Sequence, residues 1–386
     1  MDLNVSKTKI SIMNTSLEYS RRIYVSTNFS CNLNCVYCFE KNKNDIEFDV
    51  AEAVSIFEKM LMEKTEHGTK IKLHGGEPFL VFPKIKQLCE TLWKKQFPEY
   101  YHFSVTTNGT LIHGEIKRWL YENRDKITLK LSLDGNRKSH NINRSNSFDK
   151  IDLDFFVQTW KDVRLNMVIT PATLLYVAEN VKYLHSQGFN QIYSRFSLMT
   201  DWKKCHLEKE FYHQMLNLAQ FYLDNPTIVP CEFFSYDISW TLADESFTAL
   251  CNIGNCRAFD FQTRKYYPCH MCFPSVCGEK TSSELEHIEM REDNEQKEEC
   301  CIHCPFINIC KTCYAENYIM RGSVSRRDTS LCAYQKIVFV VLFKYEYARI
   351  MKLSSPTPHD VSKMQAIQKW YPEIKAIEND LLCQLK

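Results

Sequence analysis

The chain has no excess of either charge. Its 48 Lys and Arg stand against 47 Asp and Glu, for a net charge of +1 over 386 residues. That balance gives no reason to expect a nucleic-acid or membrane-surface partner, although local basic patches are compatible with it. Long apolar runs are also missing. Val338 to Phe343 is apolar, but a membrane span needs about 18 such residues. Met1 to Arg22 is polar and has no continuous apolar core, so no secretory signal is read there. No internal repeat is present. What the chain has in quantity is cysteine, at 18 residues. Without an export signal the expected compartment is the reducing cytoplasm. Cysteines there bind metal or act in redox chemistry more often than they form a disulfide scaffold.

Three of them lie close together near the N-terminus: Cys31, Cys35 and Cys38, in Ser30-Cys31-Asn32-Leu33-Asn34-Cys35-Val36-Tyr37-Cys38-Phe39-Glu40. Three thiolates are one short of the set that closes an iron–sulfur cube. They also fit part of a zinc site, and the spacing alone leaves both open. Downstream lies His74-Gly75-Gly76-Glu77-Pro78. Two glycines after a strand allow close backbone approach to a ligand, and a carboxylate beside them can accept from an ammonium group. The alternative is an ordinary strand-to-helix turn.

Six runs read as strands: Arg22–Thr27, Lys70–His74, Tyr101–Thr106, Ile127–Leu133, Arg164–Thr170 and Gln191–Leu198. Helical patterns separate them at about 47–66, 83–97, 111–124, 148–160 and 174–187. The alternation predicts an α/β fold with a parallel sheet, in the form of an open, partial (β/α)6 barrel. Sites on such folds gather at the C-terminal strand ends. The cysteine loop, the glycine turn, Thr107-Asn108-Gly109 and Ser132-Leu133-Asp134-Gly135 all fall on that rim. Residues 206–250 read as helical, broken near Asn225-Pro226. Eleven cysteines follow between Cys251 and Cys332. This stretch has little apolar core of its own, so metal is expected to support it. The expected organisation is a polar arm 1–21, a barrel 22–230, a small cysteine-rich domain 231–335 and a helical tail 336–386, broken at Ser354-Ser355-Pro356-Thr357-Pro358.

The cysteine triple and the Gly-Gly-Glu-Pro run together resemble the radical S-adenosylmethionine (SAM) enzymes, from residue 22 to about 335. The resemblance implies a [4Fe-4S] cluster on Cys31, Cys35 and Cys38, with SAM on its open iron. SAM is split there into methionine and a 5′-deoxyadenosyl radical, which takes a hydrogen atom from substrate. By position, Gly75, Gly76 and Glu77 would hold the methionine amino group. Ser132, Asn108 and Arg144 are candidates for ribose or carboxylate contacts. Asn108-Gly109 is alternatively a simple turn, and Arg144 a solvated side chain.

The second cysteine stretch resembles the SPASM domain, an auxiliary-cluster extension of peptide- and protein-modifying radical SAM enzymes. That resemblance assigns Cys251, Cys256, Cys269 and Cys313 to a nearer [4Fe-4S] cluster. Cys301, Cys304, Cys310 and Cys332 go to an outer one, which makes three clusters in all. Two positions depart from the family. Arg264 stands where glycine is usual, and two residues rather than three separate Cys310 from Cys313. The second departure bears on Cys313, and Cys272, Cys277 and Cys300 are near enough to substitute. One or two zinc sites are the alternative for this stretch.

The family members with this layout include maturases of ribosomally made peptides and anaerobic sulfatase-maturating enzymes. The latter carry an aspartate base after the Pro-Cys ligand, where this chain has His270. His270 is a candidate catalytic base, or a histidine bonded to backbone beside a cluster. The expected function is therefore a peptide maturase that makes a carbon–carbon or thioether crosslink. Full thiolate ligation of the nearer cluster favours the carbon–carbon bond. Sulfatase-type maturation is the second expectation, and a non-catalytic electron-transfer protein a third, from which the Gly-Gly-Glu-Pro run discriminates. A flavodoxin- or ferredoxin-type electron donor is implied. With only residues 1–21 before the first strand, no full leader-binding module is expected ahead of the barrel.

Overall fold

A computed structural model describes residues 19, 21–243, 253, 256–290 and 296–383. Six strands alternate with helices, as the sequence predicts: β1 (Arg21–Ser26), β2 (Thr69–His74), β3 (Tyr101–Thr107), β4 (Ile127–Ser132), β5 (Arg164–Ile169) and β6 (Gln191–Phe196). All are parallel in sequential order. Beside them stand α1 (Val50–Leu61), α2 (Phe82–Trp93), α3 (Gly114–Glu122), α4 (Arg137–Asn143), α5 (Leu153–Thr159) and α6 (Val177–Ser186). Helix starts follow their caps. Asp49, Asn136 and Asp152 each accept a backbone N–H from the first turn of α1, α4 and α5. The segment predicted as one helix over 148–160 divides into a 3-10 turn, Phe148–Lys150, and α5.

Two further strands extend the sheet past β1. Strand β7 (Cys256–Asp260) pairs parallel with β1, and β8 (Lys265–Tyr267) pairs antiparallel with β7. The full order is β6-β5-β4-β3-β2-β1-β7-β8. Part of the cysteine-rich stretch thus continues the barrel's own sheet.

Side chains alternate between the two faces of each strand. Ile23, Val25, Ile71, Leu73, Phe103, Val105, Leu129, Leu131, Leu165 and Met167 point to one face and are buried in the main core. The opposite parity carries polar and charged residues, which matters below.

The rest of the chain is helical. Helix α7 (Glu208–Asp224) ends before Pro226, and two 3-10 turns follow at Glu232–Phe234 and Ile238–Leu242. The cysteine-rich stretch adds the short α8 (Pro274–Cys277), α9 (Glu279–Leu285) and α10 (Glu299–Ile302), then α11 (Tyr314–Arg321). Helix α12 (Cys332–Met351) buries Ile337 through Phe343 without interruption, the signature of a helix enclosed on all sides. Helix α13 (Pro358–Cys383) completes the tail. Among the described residues no helix is long and apolar enough to cross a membrane.

Candidate functional site

The cysteine loop leaves the C-terminal end of β1 and lies flat on the turn that follows β2. Gly76 N–H donates to Asn28 O at 3.2 Å, and Glu77 N–H to Ser30 O at 2.9 Å. Asn28 Nδ2 returns a bond to Glu77 O at 3.0 Å. A Cβ on Gly76 would stand 2.0 Å from Ser30 O, and one on Gly75, whose φ is +152°, 2.4 Å from Asn28 O. The two glycines are therefore required by the docking of the cysteine loop itself. They bring the turn's backbone against the loop that carries the thiols.

Glu77 is almost wholly buried. Its carboxylate accepts from Thr107 Oγ1 at 2.8 Å, Asn108 N at 2.7 Å and Phe79 N at 3.2 Å. Burial pushes this carboxyl up to about 7 against the pull of those donors. Glu77 thus clamps the end of β2 to the end of β3. Asn108 then reaches the cysteine loop, donating from Nδ2 to Asn32 Oδ1 at 2.9 Å and lying 4.0 Å from Cys31 Sγ. Thr110 closes this link, with Asn32 Nδ2 donating to its Oγ1 at 2.8 Å.

A second clamp holds the other side of the loop. Arg144 Nε pairs with Asp134 Oδ2 at 2.9 Å, with both side chains nearly sealed from solvent. Tyr37 OH and Asn143 Nδ2 donate to the same carboxylate oxygen, at 2.7 and 3.2 Å. Val168 N–H satisfies Oδ1 at 2.9 Å. The Arg144 guanidinium sits 5.2 Å from the Tyr37 ring centre. Burial opposes its charge, yet Asp134 and Tyr37 hold it above its usual range. Val36 N–H and Asn34 N–H bond to Asn143 O and Ser145 Oγ. Arg144 is thus a buried partner of the cysteine loop rather than a solvated arginine. Ser132 lies half-buried at the end of β4 on the same rim.

Sequence reading missed Asp134 and Tyr37. An ionisable side chain directly after a strand, in Ser-Leu-Asp-Gly, is the signal that marks the first. Nothing in the pattern marks Tyr37.

The three thiols of the loop are partly buried. Burial raises each of them, and each feels the other two or is felt by them. Leu33 N–H points at Cys31 Sγ at 3.4 Å. Among the described residues no three Cys, His, Asp or Glu close on one point as ligands of a single ion would. A cube asks for something different, one thiolate on each of three irons with donors turned toward sulfur. The triad on its braced loop fits that group.

The cysteine-rich stretch forms two neighbourhoods. In the first, Cys269 Sγ lies 3.7 Å from Cys272 Sγ, Cys277 feels Cys269, and Cys313 is buried in the same small core. The β7–β8 pairing ends at Ala258 opposite Tyr267, two residues short of both Cys256 and Cys269. Cys251 lies outside the described residues, and of Cys256 the structure describes only the backbone. In the second neighbourhood Cys310 feels Cys304 and Cys332, Cys301 feels Cys310, and Cys332 feels Cys304. Cys300 adjoins this group from an exposed position.

His270 opens a 3-10 turn after β8. Its ring stands 4.5 Å from His74 and 5.5 Å from Tyr24 and Phe39. Its Nδ1 is buried without a hydrogen-bond partner, so it does not anchor a backbone group through that atom. Burial, then His74, Lys72 and Arg195, push it well below the usual histidine range. The imidazole is neutral at pH 7 and a weak base.

Residues 25–209 match the Radical SAM superfamily. A cysteine-type anaerobic sulfatase-maturating enzyme of Clostridium perfringens is 28% identical over 176 residues, 41% of this chain and 46% of that protein. The chain thus spans about half the length of that curated relative. Among solved structures, native anSMEcpe with bound AdoMet superposes with a TM-score of 0.61 at 21% identity, over 86% of this chain and 98% of that one. SuiB of Streptococcus suis bound to its precursor peptide SuiA gives a TM-score of 0.53 at 16% identity, over 81% and 76%. These two likenesses establish the fold. Together with the braced cysteine loop on the parallel sheet, the match over residues 25–209 shows that this chain carries a radical SAM domain, whose superfamily implies a [4Fe-4S] cluster and SAM.

Proposed function

We propose that the chain is a peptide-modifying radical SAM enzyme that takes a hydrogen atom from a residue of a ribosomally made precursor and leaves a crosslink. The observation that carries this reading is the joint clamp on the cysteine loop. Gly75, Gly76 and Glu77 hold it from β2, Asn108 from β3, and Asp134 with Arg144 from β4. When bound, SAM on the open iron of the Cys31, Cys35 and Cys38 cluster supplies the hydrogen-abstracting radical.

The residues do the remaining work. The turn backbone at Gly75 and Gly76 fits a methionine amino group. Ser132, half-buried on the same rim, fits its carboxylate or ribose, while Arg144 is engaged by Asp134 and braces the loop. Burial of Glu77, Asn108 and Asp134 makes the clamps rigid and holds the loop that carries the thiols in place, which preorganises the reaction. Two auxiliary clusters, with thiols drawn from the neighbourhoods of Cys269 and of Cys304, would relay electrons from a flavodoxin- or ferredoxin-type donor.

The 28% identical sulfatase-maturating relative supports a second reading, formylglycine formation. Mass spectrometry separates the two. A candidate precursor peptide, sought among the neighbouring reading frames, is incubated anaerobically with loaded enzyme, SAM and dithionite. Loss of two hydrogens with linked fragments supports the crosslink. Conversion of a cysteine or serine to formylglycine in a sulfatase peptide supports the second reading and overturns the first.

A further inference from the structure

The charge balance of the whole chain hides a strong local imbalance. On the sheet face opposite the apolar core, the strands carry Arg22, Lys70, Lys72, Lys130, Arg164 and Arg195. Parallel register places Arg22 beside Lys70 and Lys130 beside Arg164. The positive groups crowd one another. Lys130 feels Arg164, Lys72, Lys70 and Arg195, and Lys70 feels Arg164 and Arg22. Burial first, then these neighbours, push Lys70 down to about 8 and Lys130 well below its usual value.

Among the described residues a single carboxylate stands among the groups that shift Lys70, Lys130 and Arg164. That carboxylate is Glu232, in the turn against β6; its Oε1 pairs with Lys311 at 3.3 Å and its Oε2 is buried without a partner, so one acid stands against six cations. Other polar groups on this face are Tyr24, which accepts from Lys72 Nζ at 2.7 Å, and Tyr193, whose ring lies under Arg164. Among the described residues five buried atoms around this face have no hydrogen-bond partner: Arg164 Nε, Arg195 Nε, His74 Nδ1, His270 Nδ1 and, on the acid side, Glu232 Oε2. An orphaned guanidinium N–H is costly and is ordinarily satisfied. All six cations nevertheless keep partial solvent contact, so the face is reachable.

We propose that this basic sheet face receives a carboxylate of the substrate, the side chain of an acidic residue in the peptide, through Lys130, Arg164 and Arg195. The inference rests on the proposed peptide substrate. An anion seated there meets donors in fork geometry and relieves the repulsion among the cations. It also lifts Lys70 and Lys130 toward their ordinary range, so binding takes up protons. The residue to be modified is thereby held at a fixed distance from an acidic anchor.

Calorimetry on the reconstituted, SAM-loaded protein tests this without turnover, so an inactive enzyme and an absent anion site are distinguished. The probes are a blocked Gly-Glu-Glu-Gly peptide, its Gly-Gln-Gln-Gly counterpart and tripolyphosphate. The glutamate peptide is expected to bind at least about tenfold more tightly than the glutamine peptide, with the preference falling as salt is raised. Lys130→Met and Arg195→Gln each remove the preference, and Lys130→Arg retains it. Lys130→Met also melts no lower than wild type, since it deletes a crowded charge. Equal binding of the two peptides overturns the proposal. So does a preference that survives both variants, or binding of tripolyphosphate alone.

Discussion

Gly76 shows how little freedom a single position has here. A methyl group at that position meets Ser30 O at 2.0 Å, and the carbonyl belongs to the segment that enters the cysteine loop. Gly76→Ala is therefore expected to cost about 1–3 kcal/mol and to shift the thiols. Iron bound per chain after reconstitution should fall along with the melting temperature. Asp134 gives a second test. Removing it strands the Arg144 charge in a sealed site, and Asp134→Ala should cost about 3–5 kcal/mol in urea unfolding. The double variant Asp134→Ala with Arg144→Met should recover part of that loss, because no unpaired charge remains. Both roles were only partly legible. The glycines stood out in sequence as a ligand turn, whereas their tightest neighbour is the chain's own backbone. Arg144 was open between solvation and function because burial by Asp134 and Tyr37 is a tertiary fact that sequence spacing does not carry.

The elements were far more legible than their contacts. Strands β1 to β6 fall within two residues of their predicted ends, because alternating apolar residues over five to seven positions bury one face. Helix α4 was not read, since Arg137–Asn143 has no apolar stripe. Its start is set by the Asn136 cap. The β7–β8 hairpin was also unread: Cys256–Asp260 is short, and its pairing with β1 spans most of the chain. The basic alternation in Lys70-Ile71-Lys72-Leu73 and Leu129-Lys130-Leu131 was there to be seen. It reads as a solvated strand face until the sheet gathers six such residues.

The tail break at Ser354 to Pro358 has a chemical reason. Asp360 N–H donates to Thr357 Oγ1 at 3.2 Å, and Thr357 N–H returns to Asp360 Oδ2 at 2.9 Å, a reciprocal cap on α13. Arg349 of α12 donates to Asp360 Oδ1 at 2.6 Å. Although burial opposes the charge, these donors hold the Asp360 carboxyl below its usual range. A lowered carboxyl stabilises the fold above the unfolded value and loses that contribution as the pH falls through the folded value. Asp360→Asn should cost about 1 kcal/mol at pH 7. The gap from wild type should close as the pH drops below about 3.9, which thermal melts across the pH range will show.

At the scale of the whole molecule the claim is a division of labour among thiols. In the proposed function the loop of Cys31, Cys35 and Cys38 would generate the radical, and the groups around Cys269 and Cys304 would hold auxiliary clusters. Full reconstitution should then load about twelve irons per chain, four to each cube. Cys304→Ala should lose about four of them and keep SAM cleavage. The fold-level assignment rested on two short motifs and a strand count, and the sheet bears it out. The nearer auxiliary site was less legible. The thiols expected for it come from segments far apart in sequence, and Cys272, whose Sγ lies 3.7 Å from Cys269 Sγ, was named only as a substitute.

The most direct measurement is 5′-deoxyadenosine formed by the anaerobically reconstituted protein with SAM and dithionite, set beside Cys35→Ala loaded in the same way. The account predicts product from the wild type and none above background from the variant. No 5′-deoxyadenosine from a fully loaded wild-type protein would contradict it.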